Sequence, residues 1–139
     1  MVIIISSLAL LLWQRIFKPD LQNFLSILPH LSTGWLLLGG TGFAVLNSIV
    51  EECIFRGILW DGLEQLFSNM VTILVLQASM FGIIHYRGFP NGLVGVGLAF
   101  IYGIFLGMIR HRSRGLLAPI ITHIFADATI VSILGSLNF

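Results

Sequence analysis

The chain of 139 residues is 57% hydrophobic and only 9% charged, with a mean hydropathy of +1.00. Soluble domains carry about 25% charged residues, so seven basic and six acidic side chains are too few to cover such a domain in water. This composition and a net charge of +1 exclude a disordered tail and a nucleic-acid binder. The single cysteine, Cys53, excludes an internal disulfide and every multi-cysteine metal site. A polytopic membrane protein is predicted.

Uncharged stretches along the chain have the length of membrane spans, since a bilayer core of about 30 Å requires roughly 20 apolar residues as helix. The first segment, 1–13 or as far as Phe17, is a short apolar span, and 15–30 is an interfacial connection in which His30 is expected to be solvated. Longer runs follow at 31–50, 65–84, 88–109 and 115–139. Continuous apolar runs without alternation favour helices over a barrel. We therefore predict an all-α, polytopic transmembrane helix bundle of four to five spans.

The chain is divided at residue 41 into an N-terminal hydrophobic segment with its connection (1–41) and a helical core (42–139). A Gly-Gly-Thr-Gly sequence at 39–42 predicts a break or kink before the core. Within the core, small residues recur every four positions, a pattern that lets helix backbones approach closely in lipid: Gly95, Ala99, Gly103 and Gly107. We interpret this strip as structural.

Two acids and a base interrupt the apolar pattern. A charged side chain inside a membrane costs roughly 3 kcal/mol or more, so such a residue indicates a paired or functional group. At about 100° per residue, Glu52 and Arg56 lie one turn apart on the same helix face and are expected to pair. Glu51 points away from Arg56 and shares its face with Asn47, which is expected to support it. Glu51 is therefore the acid left free for chemistry.

Two histidines and an aspartate lie in the later apolar runs. His85 ends one run, and His123 and Asp127 are four residues apart on one face of the last helix. These side chains converge with Glu51 only if the helix that carries Glu51 continues to about Gln65. The prediction is therefore a long helix with Glu51 near its middle.

A glutamate beside histidines can hold a water molecule and accept its proton, while a second histidine and a polar neighbour stabilise an oxyanion. This set describes amide hydrolysis without a covalent intermediate. The chain has no Gly-x-Ser-x-Gly or His-Glu-x-x-His motif, and Cys53 is interpreted as a small core residue. Three alternatives stay open: a zinc site of Glu51, His85 and His123, a catalytically silent scaffold or immunity protein, and a proton-coupled transporter.

Three motifs in order resemble those of the CPBP family of CAAX proteases and bacteriocin-processing enzymes: Glu51-Glu52-x-x-x-Arg56, Phe81-x-x-x-His85 and His123-x-x-x-Asp127. The resemblance extends over about residues 42–130. It implies a multi-pass intramembrane endopeptidase of the glutamate type, expected in the bacterial inner membrane and acting without a cofactor. The implied partners are membrane lipid and a membrane-associated or lipidated peptide substrate.

The family's roles, placed on the matching residues, make Glu51 the base that activates water, with His85 alongside it. His123 and Asp127 would stabilise the oxyanion, and the paired acid and base described above would occupy supporting positions. One residue departs from the pattern, because the prenyl-protein enzymes have asparagine where this chain has Asp127. An ionised aspartate cannot donate a hydrogen bond, so Asp127 is expected to orient His123 instead.

Overall fold

The computed structural model describes residues 1–26 and 32–137, so His30 lies outside the described residues. Every element in the described part is helical: α1 (Val2–Phe17), α2 (Gln22–Leu25), α3 (Thr33–Glu52), a π-helical segment (Cys53–Leu59), α4 (Trp60–Leu66), α5 (Met70–Ile84), α6 (Gly92–Ser113) and α7 (Leu117–Leu137). The prediction of an all-helical protein is confirmed.

Two helices, α6 and α7, are long and apolar enough to cross a membrane, and α1 and α5 are shorter apolar helices. Large apolar side chains are exposed on the outer faces of several helices, among them Ile58, Val71, Leu93 and Leu117. Soluble monomers rarely expose apolar surface on this scale, whereas lipid chains solvate it. The prediction of four to five spans stays a prediction.

The bundle is organised around two helix pairs, α5 with α6 and α3 with α7, and α1 packs against α7. The small residues of α6 that form the predicted strip are all buried. A Cβ atom on Gly103 would lie 3.1 Å from the Cα atom of Ala78 on α5, and one on Gly107 would lie 2.7 Å from Leu74 Cδ2. The strip is therefore the surface on which α5 approaches α6.

The expected break at 39–42 is wrong, because α3 continues through these residues to Glu52. Gly40 instead permits close packing, since a Cβ atom there would overlap with Val131 Cγ1 on α7. Helical backbone then continues as far as Leu66, which places Glu51 near the middle of a long helix, as predicted.

The irregularity in this long helix lies after Glu51, in the π-helical segment. The Arg56 carbonyl accepts a hydrogen bond of 2.9 Å from Arg110 Nε on α6. Cys53, expected in the core, is exposed on the outer face of this segment.

The apolar run predicted from residue 65 is also divided, because α5 begins only after Asn69. The side chain of Asn69 caps the backbone N–H groups of Val71 and Thr72.

Adding one methyl group to the strip on α6 should separate the helices that it joins. Gly103→Ala is expected to destabilise the protein by about 1–3 kcal/mol, because the new Cβ meets backbone and Phe81 at close range. Gly97→Ala is the matched control on the same helix, since no atom lies within 4 Å of its Cβ position. Unfolding in a lipid–detergent mixture measures both, and equal stabilities would contradict this view of the strip.

Candidate active site

The buried centre of the bundle contains an ion pair between adjacent turns of one helix. Arg56 Nη1 donates a hydrogen bond of 2.9 Å to Glu52 Oε1, and both side chains are completely buried. The pairing expected from the sequence spacing is therefore present. It places a neutralised pair, in place of two isolated charges, in the interior of an apolar bundle.

Contacts from two further helices fix the guanidinium of Arg56. Its Cζ atom lies 4.3 Å from the centroid of the Phe81 ring on α5, within the range of a cation–π interaction. Its Nη2 donates to the carbonyl oxygen of Gly103 at 3.3 Å, and Gln77 Nε2 donates to the same oxygen at 2.9 Å. The ion pair is thereby tied to α5 and α6.

His123 on α7 lies between the two glutamates of the long helix. Its Nδ1 donates a hydrogen bond of 2.7 Å to Glu52 Oε1, which requires the hydrogen on Nδ1 because a carboxylate only accepts. Its Nε2 lies 3.7 Å from Glu51 Oε2 and 3.6 Å from Asp127 Oδ1. The rings of Phe81 and Tyr102 meet that of His123 edge-on, so the imidazole is held on several sides.

The carboxylate of Asp127 is held by donors from α3. Asn47 Nδ2 and Ser48 Oγ each donate to Asp127 Oδ2 at 3.1 Å. A separation of 3.6 Å between Asp127 and His123 is too long for a hydrogen bond. The orienting bond that the sequence assigned to Asp127 is therefore made by Glu52.

Glu51 is the least enclosed member of this cluster, with its side chain 20% exposed. Its Oε1 accepts a hydrogen bond of 3.3 Å from Asn47 Nδ2, which is the shared face predicted from the sequence. Its Oε2 is buried without a hydrogen-bond partner among the described residues. One oxygen of Glu51 is thus held by a hydrogen bond, while the other makes none within the described residues.

A mainly apolar cavity of about 100 Å³ lies beside the cluster. Its polar lining residues are Ser6, His85, Tyr102, His123 and Asp127, and its apolar lining comes from α1, α5, α6, α7 and the segment before α6. Glu51 is not among the lining residues. Such a cavity, apolar with a few convergent polar groups, is the usual form of a ligand site. The N-terminal helix α1 is part of this wall.

His85 reaches the cavity without touching the glutamates. Its Nδ1 donates to the carbonyl oxygen of Phe81 at 2.7 Å, which leaves Nε2 as an acceptor. Among the described residues it makes no hydrogen bond or ion pair with Glu51. The structure therefore brings together Glu51, His123 and Asp127 and places His85 separately on the cavity wall.

The zinc alternative requires Glu51, His85 and His123 to converge. Within residues 1–26 and 32–137, no group of three or more His, Cys, Asp or Glu side chains has an arrangement that could hold a metal ion. The separate position of His85 accounts for this result. The residues as they lie do not fit a three-ligand zinc site.

Three members of the polar interior were missed in the sequence. Ser48 follows Asn47 and is completely buried, Gln77 is completely buried on α5, and Tyr102 donates to the Thr122 carbonyl at 3.2 Å. The signal for Gln77 was its place as an isolated amide within an apolar run. Ser48 and Tyr102 carry no comparable signal, because serine and tyrosine are tolerated in membrane helices.

A cluster of carboxylates and a histidine thus lies beside a cavity inside an apolar helical bundle. The sequence model of the type II CAAX prenyl endopeptidase Rce1-like family matches residues 33–129, well over half of the chain. The chain belongs to this family of membrane-embedded proteases, which confirms the resemblance to CAAX proteases. No curated protein and no solved structure matched the chain. The matched region contains the whole polar cluster, and α1 lies outside it.

Proposed function

We propose that the chain is an intramembrane endopeptidase that hydrolyses peptide bonds with a water molecule activated by Glu51. The observation that carries the proposal is the unpartnered Glu51 Oε2, which lies 3.7 Å from Nε2 of His123, and His123 in turn lines the cavity. A carboxylate oxygen with this freedom is a suitable acceptor for a proton from water.

In the proposed reaction, Glu51 Oε2 accepts one proton of the water molecule. At the same time, the oxygen of that water attacks the carbonyl carbon of the scissile peptide. The carbonyl electron pair moves to oxygen and forms a tetrahedral oxyanion. When the C–N bond breaks, Glu51 returns the proton to the leaving nitrogen, so that a carboxylic acid and an amine result. No covalent enzyme intermediate is formed.

His123 is proposed to act on the oxyanion through Nε2, because Glu52 holds the hydrogen of Nδ1. The protonated ring donates from Nε2, and a donor aimed at the developing charge is usually among the larger catalytic contributions. Asp127 is proposed to stabilise the polar wall and not to donate a hydrogen bond to the oxyanion. Its ionised carboxylate accepts hydrogen bonds from Asn47 and Ser48. His85 is proposed to contact water or substrate from its own part of the cavity wall.

The apolar cavity supports a membrane-associated or lipidated peptide as substrate, since its walls suit an apolar chain beside the reacting bond. Membrane lipid is the other proposed partner, and no cofactor is required by this mechanism. We further propose four to five spans in a bacterial inner membrane.

The experiment that tests the proposal is cleavage of membrane-embedded peptides by the purified protein in lipid nanodiscs. The substrates are a set of single-span peptides with and without a C-terminal prenylated cysteine. Wild type, Glu51→Gln, and wild type with a strong chelator are compared by mass spectrometry of the products. Cleavage that is lost in the variant and survives chelation is the expected result.

Two outcomes would replace the proposal. Loss of cleavage on chelation with recovery on added zinc would establish the metal-dependent protease. A wild type that cleaves nothing, together with a Glu51→Gln protein that retains the cellular phenotype, would establish a non-proteolytic scaffold or immunity protein.

A further inference from the structure

Asn47 makes a connection between helices that the proposed reaction does not use. It lies one turn before Glu51 on α3, and its Nδ2 donates both to Glu51 Oε1 at 3.3 Å and to Asp127 Oδ2 at 3.1 Å. An amide group has two N–H donors, so both bonds can form together. One neutral side chain thus joins two carboxylates that come from different helices.

These carboxylates would otherwise repel each other. Glu51 Oε2 and Asp127 Oδ1 both lie within 3.7 Å of the same atom, His123 Nε2. Two like charges that both approach one common atom this closely are near enough to disfavour each other in a partly dry site. The Asn47 amide places positive hydrogen atoms between them and so reduces this repulsion.

The contact also determines which oxygen of Glu51 faces the site. Asn47 occupies Oε1, and Oε2 is the atom left without a partner and directed to His123. Ser48, by contrast, donates to Asp127 and makes no hydrogen bond with Glu51 within the described part of the chain. Asn47 is therefore the residue that holds Glu51 in register with α7.

We propose that Asn47 is a positioning residue for Glu51, whose Oε2 it keeps directed at the reacting centre by bridging Glu51 and Asp127. This inference rests on the proposed function, because it assigns Asn47 a role in that same reaction. A purely structural role, in which Asn47 only ties α3 to α7, makes a different prediction for one double variant.

The test exchanges the amide and the carboxylate between the two helices. Asn47→Asp places a carboxylate against both Glu51 and Asp127, so stability and kcat should both fall, kcat by roughly 100-fold for a misplaced base. Adding Asp127→Asn restores a donor–acceptor pair between positions 47 and 127. Most of the lost stability should therefore return in the double variant, while kcat stays low because the carboxylate introduced at position 47 still repels Glu51.

Asn91→Asp is the matched control, since Asn91 lies just before α6, its side chain makes no capping bond, and the change should alter neither quantity appreciably. The measurements are thermal unfolding in nanodiscs and kcat and KM for the cleaved peptide. Recovery of both stability and kcat in the double variant would overturn the inference in favour of a structural link. Unchanged kcat in Asn47→Asp would overturn it as well, whereas a wild type without cleavage contradicts the proposed function and this role together.

Discussion

Replacing Glu51 by glutamine is expected to lower kcat for peptide cleavage by roughly 10²- to 10⁴-fold, the typical contribution of a general base. The amide has nearly the same shape, and its oxygen can still accept the bond from Asn47 Nδ2. It cannot accept a proton from water at neutral pH. KM should change little, because Glu51 is proposed to act on water and makes no assigned contact with the substrate. Steady-state kinetics in nanodiscs measures both constants.

The matched control is Glu64→Gln near the end of α4. Glu64 is exposed, and its Oε1 accepts a bond of 2.8 Å from Trp60 Nε1 that a glutamine oxygen can also accept. This variant changes the same charge at a distance from the cluster and should keep the wild-type kcat. A Glu51→Gln protein with the activity of the Glu64→Gln protein would show that another group removes the proton.

Replacing Arg56 by methionine is expected to destabilise the protein by about 3–5 kcal/mol, the usual result of removing one partner of a buried ion pair. The change leaves the charge of Glu52 without its partner and removes a bond to the Gly103 carbonyl and the stacking on Phe81. Unfolding in a lipid–detergent mixture gives the free energy. Arg112→Met on the exposed end of α6 is the control and should leave that free energy nearly unchanged.

A double variant separates the stability of the ion pair from its function. Replacing both members with apolar residues, Glu52→Leu with Arg56→Met, is often neutral or stabilising because no buried charge is left alone. Stability should therefore recover relative to Arg56→Met alone. Activity should stay low, because His123 Nδ1 loses the acceptor that fixes its ring. If Arg56→Met is as stable as Arg112→Met, the ion pair is not the buried anchor described above.

The helices could be predicted where their signal was local. The length of the uncharged run alone was enough to predict α6 and α7, whose predicted and observed limits differ by a few residues. The start of α5 was predicted at residue 65 and lies at Met70, because residues 65–69 carry no charge that would separate them from the apolar run. The glycines at 39–42 were misinterpreted because glycine serves both kinks and close packing, and only the position of Val131 on α7 distinguishes them.

Within the site too, contacts between residues close in sequence could be predicted, and contacts between distant residues could not. The contacts of Glu52 with Arg56 and of Asn47 with Glu51 could be predicted because helix geometry fixes residues four apart. The bond from His123 to Glu52 joins residues 71 positions apart, and a single sequence carries no local signal for it. The motifs brought His123 into the prediction, and tertiary packing decided that it binds Glu52.

The π-helical segment sets the rotational phase between the two halves of the long helix. A π turn holds one residue more than an α turn, and each residue of an α-helix advances about 100°. Glu52, before the segment, faces His123 on α7, whereas Trp60, after it, packs with Leu63 and Ile73 toward α5. A one-residue deletion at the exposed Ile58 would remove this offset and turn Trp60 away from α5. The extra residue thus lets one continuous helix pack against both α7 and α5, which lie in different directions from its axis.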